Sequence, residues 1–401
     1  MPQQMARLPF FFYRYLSSRF LGSIIFNAFT VYFLWEIVVL FKSVFLAGLI
    51  PTISLASDLL MAVPVGHLID RFNSTKLGTL SSLILTLGTA LLVIGQSIPF
   101  IYTATVFLTI GVMMKGDTIS ATIKKNLDKE KLLPANQTLS GAGYASALIG
   151  TLFGGASIIY LQHYFVFIIL GMSIAALLLS FPIPEAGNAE EKAAVRSELA
   201  STFGFLKKIT GFLAVGFVLN GLIVCLDVYS SGLFHLVLKV SPVYYTLFVA
   251  FLSVGGIIGS LLSGSVQRHV NTAYRISLLI LLYSPAILFI ALAKSASGDI
   301  VDSFLIGLLL PVINIPLQVN LMKVVPRNIY GKVMAFLRVF LGGATPALAA
   351  VFSFMALFFS VTSIFLYVGI ILFPVCALSF RVLPKFFRMA NEASVNSEKA
   401  A

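Results

Sequence analysis

Charged and amide side chains are scarce in this sequence, and those that fall inside its long apolar runs have chemistry available to them. They are Asn27, Glu36, Asp58, Lys115, Asp117, Asn220, Asp227, Asn314, Gln318, Asn320 and Arg338. An ionisable group held away from water is costly, so each needs a partner, a proton or a ligand. Asp58 sits in the middle of its run. It could take up and release a proton or hold a cationic group of a substrate; the alternative is a structural partnership with Arg338 or a helix–helix hydrogen bond. Lys115 and Asp117 are two positions apart, do not share a helix face, and so need separate partners. Asn314 and Gln318 are four apart and do share one, either as two donors lining a cavity or as hydrogen-bonding groups inside a bundle. Glu36 and Asp227 stand toward run ends, where interfacial roles are common.

Other chemistries find little support. The four histidines, His67, His163, His235 and His269, are scattered without metal-ligand spacing. Cys225 and Cys376 lie in apolar runs and imply neither a disulfide framework nor a metal site. There is no GxxxxGK[ST] loop, so the chain cannot drive work with ATP by itself. No metal and no cofactor are expected. An integral membrane enzyme acting on lipids should gather His, Asp or Glu near one interface, and no such cluster is visible. A channel fits poorly, because no filter-like segment interrupts the runs.

The elements that carry these residues follow from composition. Of 401 residues, 59% are hydrophobic and 10% charged, and the mean hydropathy is +1.00. A soluble domain cannot hide that much apolar surface, so the solvent for most of the chain is lipid. A spanning helix needs roughly 20 mostly apolar residues. Twelve such runs are present, near 16–38, 45–68, 77–95, 100–122, 137–159, 164–182, 209–233, 242–265, 274–293, 301–322, 332–356 and 361–383. The first is too long for a cleaved signal peptide, and Glu36 and Lys42 follow it where a cleavage site should be. The interiors of runs 3, 6, 9 and 12 hold no charged or amide residue. Those four should face lipid while the others surround a wet cavity.

A formal net charge of +12 would suggest nucleic acid in a soluble protein; here the cations lie between runs, and no nucleic-acid partner is expected. With the N-terminus and every even-to-odd connection on one side, that side holds 22 Lys and Arg. The other holds only Lys42, Lys239 and Lys294. The positive-inside rule then puts both termini in the cytoplasm. The chain divides into residues 1–182 (six helices), a cytoplasmic linker 183–208, residues 209–384 (six helices) and a cytoplasmic tail 385–401. At an offset of 198, Gly66 meets Gly264 and Lys125 meets Lys323, which fits a parallel repeat of two halves.

Residues 66–76, GHLIDRFNSTK, resemble the signature of the major facilitator superfamily. Gly66, Asp70, Arg71 and Lys76 match it. Asn73 replaces its second glycine, and Ser74 and Thr75 replace basic positions. Residues 146–155, SALIGTLFGG, are similar to the antiporter motif of that family through Gly150, Gly154 and Gly155, though small residues at this spacing also serve ordinary helix packing. LDKEKLLPANQTLSGAG (127–143) and VVPRNIYGKVMAFLR (324–338) resemble the branch of macrolide and siderophore exporters.

The resemblance implies a twelve-helix all-α membrane protein, two six-helix halves related by a pseudo-two-fold repeat, working by alternating access. Asp70 would face the start of helix 11 and hold the cytoplasmic side shut, an anion at a helix N-terminus being favoured by about 0.3–1 kcal/mol. Lys115 could stand in for the basic residue that drug exporters carry on helix 4; the alternative is a lysine snorkelling to the interface. The expected activity is proton-coupled efflux of small amphipathic molecules by a plasma-membrane monomer that is not an enzyme. Proton-coupled uptake of a small polar nutrient is the alternative.

Overall fold

The computed structural model is helical throughout, and its described residues are 10–72, 74–126, 129–181, 199–267, 272–325 and 330–399. Lipid supplies no hydrogen bonds, so a spanning backbone must satisfy itself, and helices do so within one segment. The first six spans are α1 (Phe10–Phe41), α2 (Val44–Arg71), α3 (Ser74–Ile94), α4 (Ile98–Asn126), α5 (Lys129–Tyr160) and α6 (Phe165–Leu179). A short helix, α7 (Leu199–Lys208), precedes the others. The seventh span is broken into α8 (Thr210–Ile223), α9 (Cys225–Gly232) and a π turn, Leu233–Val237. Then come α10 (Pro242–Gln267), a ninth span made of α11 (Thr272–Leu281) and α12 (Tyr283–Ala293), α13 (Ala296–Val324), α14 (Tyr330–Met355) and α15 (Val361–Lys399). Eleven of these stretches are long and apolar enough to cross a membrane, and α14 adds a shorter apolar stretch, Val339–Met355. The expected twelve spans are therefore present. The residues from 385 to Lys399, read from sequence as a tail, continue α15 as helix.

The chain forms two compact units. One comprises the described residues of 1–41 and 49–190, the other those of 42–48 and 191–401. In the first, α1 packs on α5 and α6, and α3 on α4 and α6. Small residues set the closest approaches. A Cβ added to Gly154 would stand 2.6 Å from the Ala28 carbonyl oxygen, and one on Gly150 2.7 Å from that of Ile24. In the second unit α10 and α13 lie in similar contact. Gly255 faces the Phe304 carbonyl, Gly259 that of Leu308, and Gly307 that of Leu252. Ser303 Oγ donates to the Phe248 carbonyl at 2.9 Å across the same seam. With no water to expel, van der Waals contact and such hydrogen bonds hold helices together in lipid.

Leu80, Leu83 and Leu87 on α3, Phe167 and Leu178 on α6, Leu282 at the break before α12, Phe289 and Leu292 on α12, and Ile370, Ile371 and Phe373 on α15 are all exposed. Exposed apolar side chains do not set runs 3, 6, 9 and 12 apart, since Leu60 on α2, Leu261 on α10 and Val301 on α13 are exposed too. Polar ends are secured inside the units. Arg14 Nε donates to the Leu179 carbonyl at 3.0 Å and Thr79 Oγ1 to that of Ser180, closing the C-terminal end of α6.

Three of the connections repeat a single device. Lys42, Lys239 and Lys294 all adopt positive φ, 50°, 53° and 46°. Each is followed within two residues by a serine that caps the next helix. Ser43 Oγ accepts from Leu46 N at 3.2 Å, Ser241 Oγ from Val243 N at 3.4 Å, and Ser295 Oγ from Gly298 N at 3.2 Å. Ser43 and Ser241 are 198 apart, as are Ser97, which precedes α4, and Ser295, which precedes α13. The offset that paired Gly66 with Gly264 thus also pairs helix starts.

Candidate functional site

In the first unit the best-defined polar site surrounds Lys115. This residue lies on α4 and is only 4% exposed. Its Nζ donates to Ser18 Oγ on α1 and Ser82 Oγ on α3. Ser82 Oγ also accepts from Ser180 Oγ at 2.9 Å, and Ser18 Oγ donates to the Ala176 carbonyl. Buried charge is tolerable when hydrogen-bonded, and here hydroxyls supply what a carboxylate would. A cavity of about 10 Å³ adjoins the amine, lined by Arg19, Gly22, Ser81 and Leu85 among others; that is about the room one water needs. Lys115 does not snorkel to an interface. It ties α1, α3 and α4 together, with α6 attached through the serines.

Asp117 interacts electrostatically with Arg19 on α1, which also lines the cavity beside Lys115. Glu36 interacts in the same manner with His163. Asn27 Nδ2 donates to the Ser23 carbonyl one turn back, at 2.7 Å. Asp58 is exposed on α2, and near it Thr109 Oγ1 on α4 donates to Ser54 Oγ on α2 at 3.0 Å. Of the signature residues, Gly66 is half-buried and a Cβ there would meet nothing within 4 Å, while Lys76 is exposed. The side chains of Asp70, Arg71, Gln318 and Arg338 lie outside the described residues, as do residue 73, residues 182–198 with the first part of the linker 183–208, and parts of the exporter-like stretches at 127–128 and 326–329. Gly155, like Gly150 and Gly154, is buried on α5.

In the second unit Asp227 on α9, Asn220 on α8 and Asn314 on α13 are exposed. Asn320 is buried, and its Nδ2 donates to the Pro316 carbonyl at 2.8 Å. Tyr229 Oη donates to the Phe352 carbonyl, anchoring α9 to α14.

Two acids were missed by the sequence reading. The apolar run at 301–322 leaves Asp299 outside and holds Asp302 at its second residue, whereas Ser295 caps a helix that begins at Ala296. Asp299 and Asp302 therefore lie inside α13, 0% and 8% exposed. Both carboxylate oxygens of Asp299 and Oδ2 of Asp302 are buried without a hydrogen-bond partner. At i and i+3 the two share a face. The signal was present in SASGDIVD: a serine cap followed by two acids one turn apart, at the mouth of an apolar run.

The comparisons with known proteins agree with this architecture. The model of the Major Facilitator Superfamily matches residues 15–349. Similar solved structures include a bacterial homolog of the human lysosomal transporter Spinster, inward-facing and unoccupied. Its TM-score is 0.72 at 15% identity, covering 96% of this chain and 99% of that one. The nucleoside transporter NupG has a TM-score of 0.74 at 12% identity, covering 94% and 99%. The peptide transporter POT in complex with alafosfalin has 0.74 at 13%, covering 94% and 95%. At such identities the likeness is one of fold. A search of curated proteins found no match.

Proposed function

The chain belongs to the Major Facilitator Superfamily, and we propose that it is a proton-coupled secondary transporter that exports small amphipathic molecules by alternating access. The transporter fold supports carriage of a small molecule across a membrane rather than catalysis. The observation that carries the coupled reading is the buried, unpartnered Asp299 beside Asp302. Two carboxylates on one face repel unless a cation lies between them, and a proton is the smallest that removes one charge and supplies a hydrogen bond. The elements packed on α13 are α10, α11, α12 and α15. Their titratable and charged groups are Tyr244 and Tyr245 on α10, Tyr274 and Arg275 on α11, Tyr283 on α12, and Tyr367, Cys376, Arg381, Lys385, Arg388 and Glu392 on α15, with Lys294 in the preceding turn. None of them is hydrogen-bonded to either Asp299 oxygen.

Export is supported by the glycine face of α5 against α1 and by the exporter-like stretches at 127–143 and 324–338. In this reading Asn27, Asp58, Lys115, Asp117, Asp227, Asn314, Gln318 and Arg338 serve the substrate or its coupling, and Asp70 with Gly66, Arg71 and Lys76 forms a cytoplasmic gate. The protein is a monomer of the plasma membrane with both termini in the cytoplasm, as the distribution of Lys and Arg favours.

The test is transport in liposomes under an imposed pH gradient, with labelled amphiphilic and polar solutes. Gradient-driven movement should fall at least tenfold in Asp299→Asn, while equilibrative exchange of the same solute persists. Transport in the wild type that ignores the gradient would remove the coupled reading. Asp58→Asn in parallel asks whether the exposed acid shares the role. One observation favours uptake of a polar nutrient instead: the exposed intramembrane residues are acids and amides, Asp58, Asp227, Asn220 and Asn314. Accumulation of a polar solute with the gradient, and no movement of amphiphiles, would select that reading.

A further inference from the structure

One end of the second unit holds a cleft of about 400 Å³ between the α7–α8 junction and α15. Its charged lining is wholly basic: Lys208 in the last turn of α7, and Arg381 and Lys385 on α15. All three are exposed, and among the described residues none has an acidic partner. Arg381 and Lys385 are one helical turn apart and share a face. The rest of the lining is apolar. Phe212 and Phe386 stack at 4.3 Å with an interplanar angle of 12°, and Leu378, one turn below Arg381, is exposed.

We propose that this cleft binds one anionic phospholipid, its phosphate held by Lys208, Arg381 and Lys385 and an acyl chain lying along Leu378 and the Phe212–Phe386 pair. Arg381 and Lys385 are in the last third of the apolar stretch Val361–Met389 of α15, toward its C-terminal end. A guanidinium can grip a phosphate with two parallel hydrogen bonds and an ammonium adds a point charge. Basic pockets between spanning helices are suited to acidic headgroups. A free phosphate would use the cations but leave the apolar wall bare, and that wall is why a lipid is the occupant. The competing occupant is the chain's own linker, whose Glu185, Glu190 and Glu191 precede α7 in sequence.

Native mass spectrometry of the full-length protein, released from micelles with phosphatidylglycerol or phosphatidylcholine, tests this directly. The wild type should retain one phosphatidylglycerol in preference to phosphatidylcholine. Each cation replaced by Gln should weaken retention about fivefold. Arg381→Gln/Lys385→Gln reads the α15 side and Lys208→Gln reads α7, so one misfolded variant does not void the experiment; circular dichroism confirms helix content. Equal retention of the two lipids by the wild type overturns the proposal, as does undiminished phosphatidylglycerol in both folded variants. Displacement of the lipid by millimolar inorganic phosphate would make it a phosphate site and also overturns it. If the wild type shows no preference but Glu190→Gln/Glu191→Gln acquires one, the linker is the occupant and the proposal fails.

Discussion

Replacing Lys115 by alanine would remove the amine shared by Ser18 and Ser82 and leave a void among α1, α3 and α4. A loss of about 2–4 kcal/mol is expected, the cost of deleting a long buried side chain, visible as a lower midpoint in thermal unfolding in detergent. Lys115→Met keeps most of the volume, and Ser18 and Ser82 retain carbonyl acceptors at Ala176 and Gly78. It should cost under about 1.5 kcal/mol. Transport lost in Lys115→Met at unchanged stability would mean that the amine acts on substrate or coupling. At this scale the sequence was only partly legible. It singled out Lys115 and separated it from Asp117, because helix periodicity is local. It could not show that the partners of Lys115 are hydroxyls from positions 18 and 82, which only the fold brings near. Only Asp299 lies beyond the apolar run at 301–322, with Asp302 at its second residue; acids at the edge of such a run look interfacial until the cap at Ser295 moves the edge.

The helices themselves make sharper demands. Gly154→Leu would drive a side chain into the Ala28 carbonyl region of α1 and should destabilise the first unit by about 1–3 kcal/mol or more. Gly307→Leu should do the same at the α10–α13 seam, whereas Gly66→Ala, with nothing within 4 Å of its Cβ, should leave stability unchanged. Thermal unfolding of the three variants orders them. The connections make the opposite prediction. Lysine in the left-handed region costs roughly 1 kcal/mol relative to glycine, so Lys239→Gly should raise stability by about that much, and Ser43→Ala should lower it by about 1 kcal/mol through loss of a cap. Spans were readable because lipid imposes length and apolarity on every one of them. The breaks at Val224 and Leu282 were not, since an apolar run looks the same whether its helix is continuous or interrupted.

For the molecule as a whole, the count of Lys and Arg is a statement about insertion, and it can be checked without knowing the substrate. Lys42→Cys and Lys207→Cys lie at connections that the charge bias assigns to opposite sides. In sealed right-side-out vesicles an impermeant maleimide should label the first and not the second; the reverse pattern would invert the proposed orientation. Cys225 and Cys376 are both buried and should stay silent in this assay. The repeat of two halves was faintly visible as Gly66 with Gly264. The serine caps at the same offset make it physical, because a cap fixes where a helix starts, and equivalent starts are what equivalent halves require.

Those capped turns have a further consequence. Only Lys42 and Ser43 separate α1 from α2, and only Lys294 and Ser295 separate α12 from α13. Connections so brief give a protease no strand to draw into its cleft, an antibody no loop to clasp, and a glycosyltransferase no slack around an acceptor. At those two turns other macromolecules find little to hold. Recognition, tagging and degradation of this protein should enter where its longer connections lie.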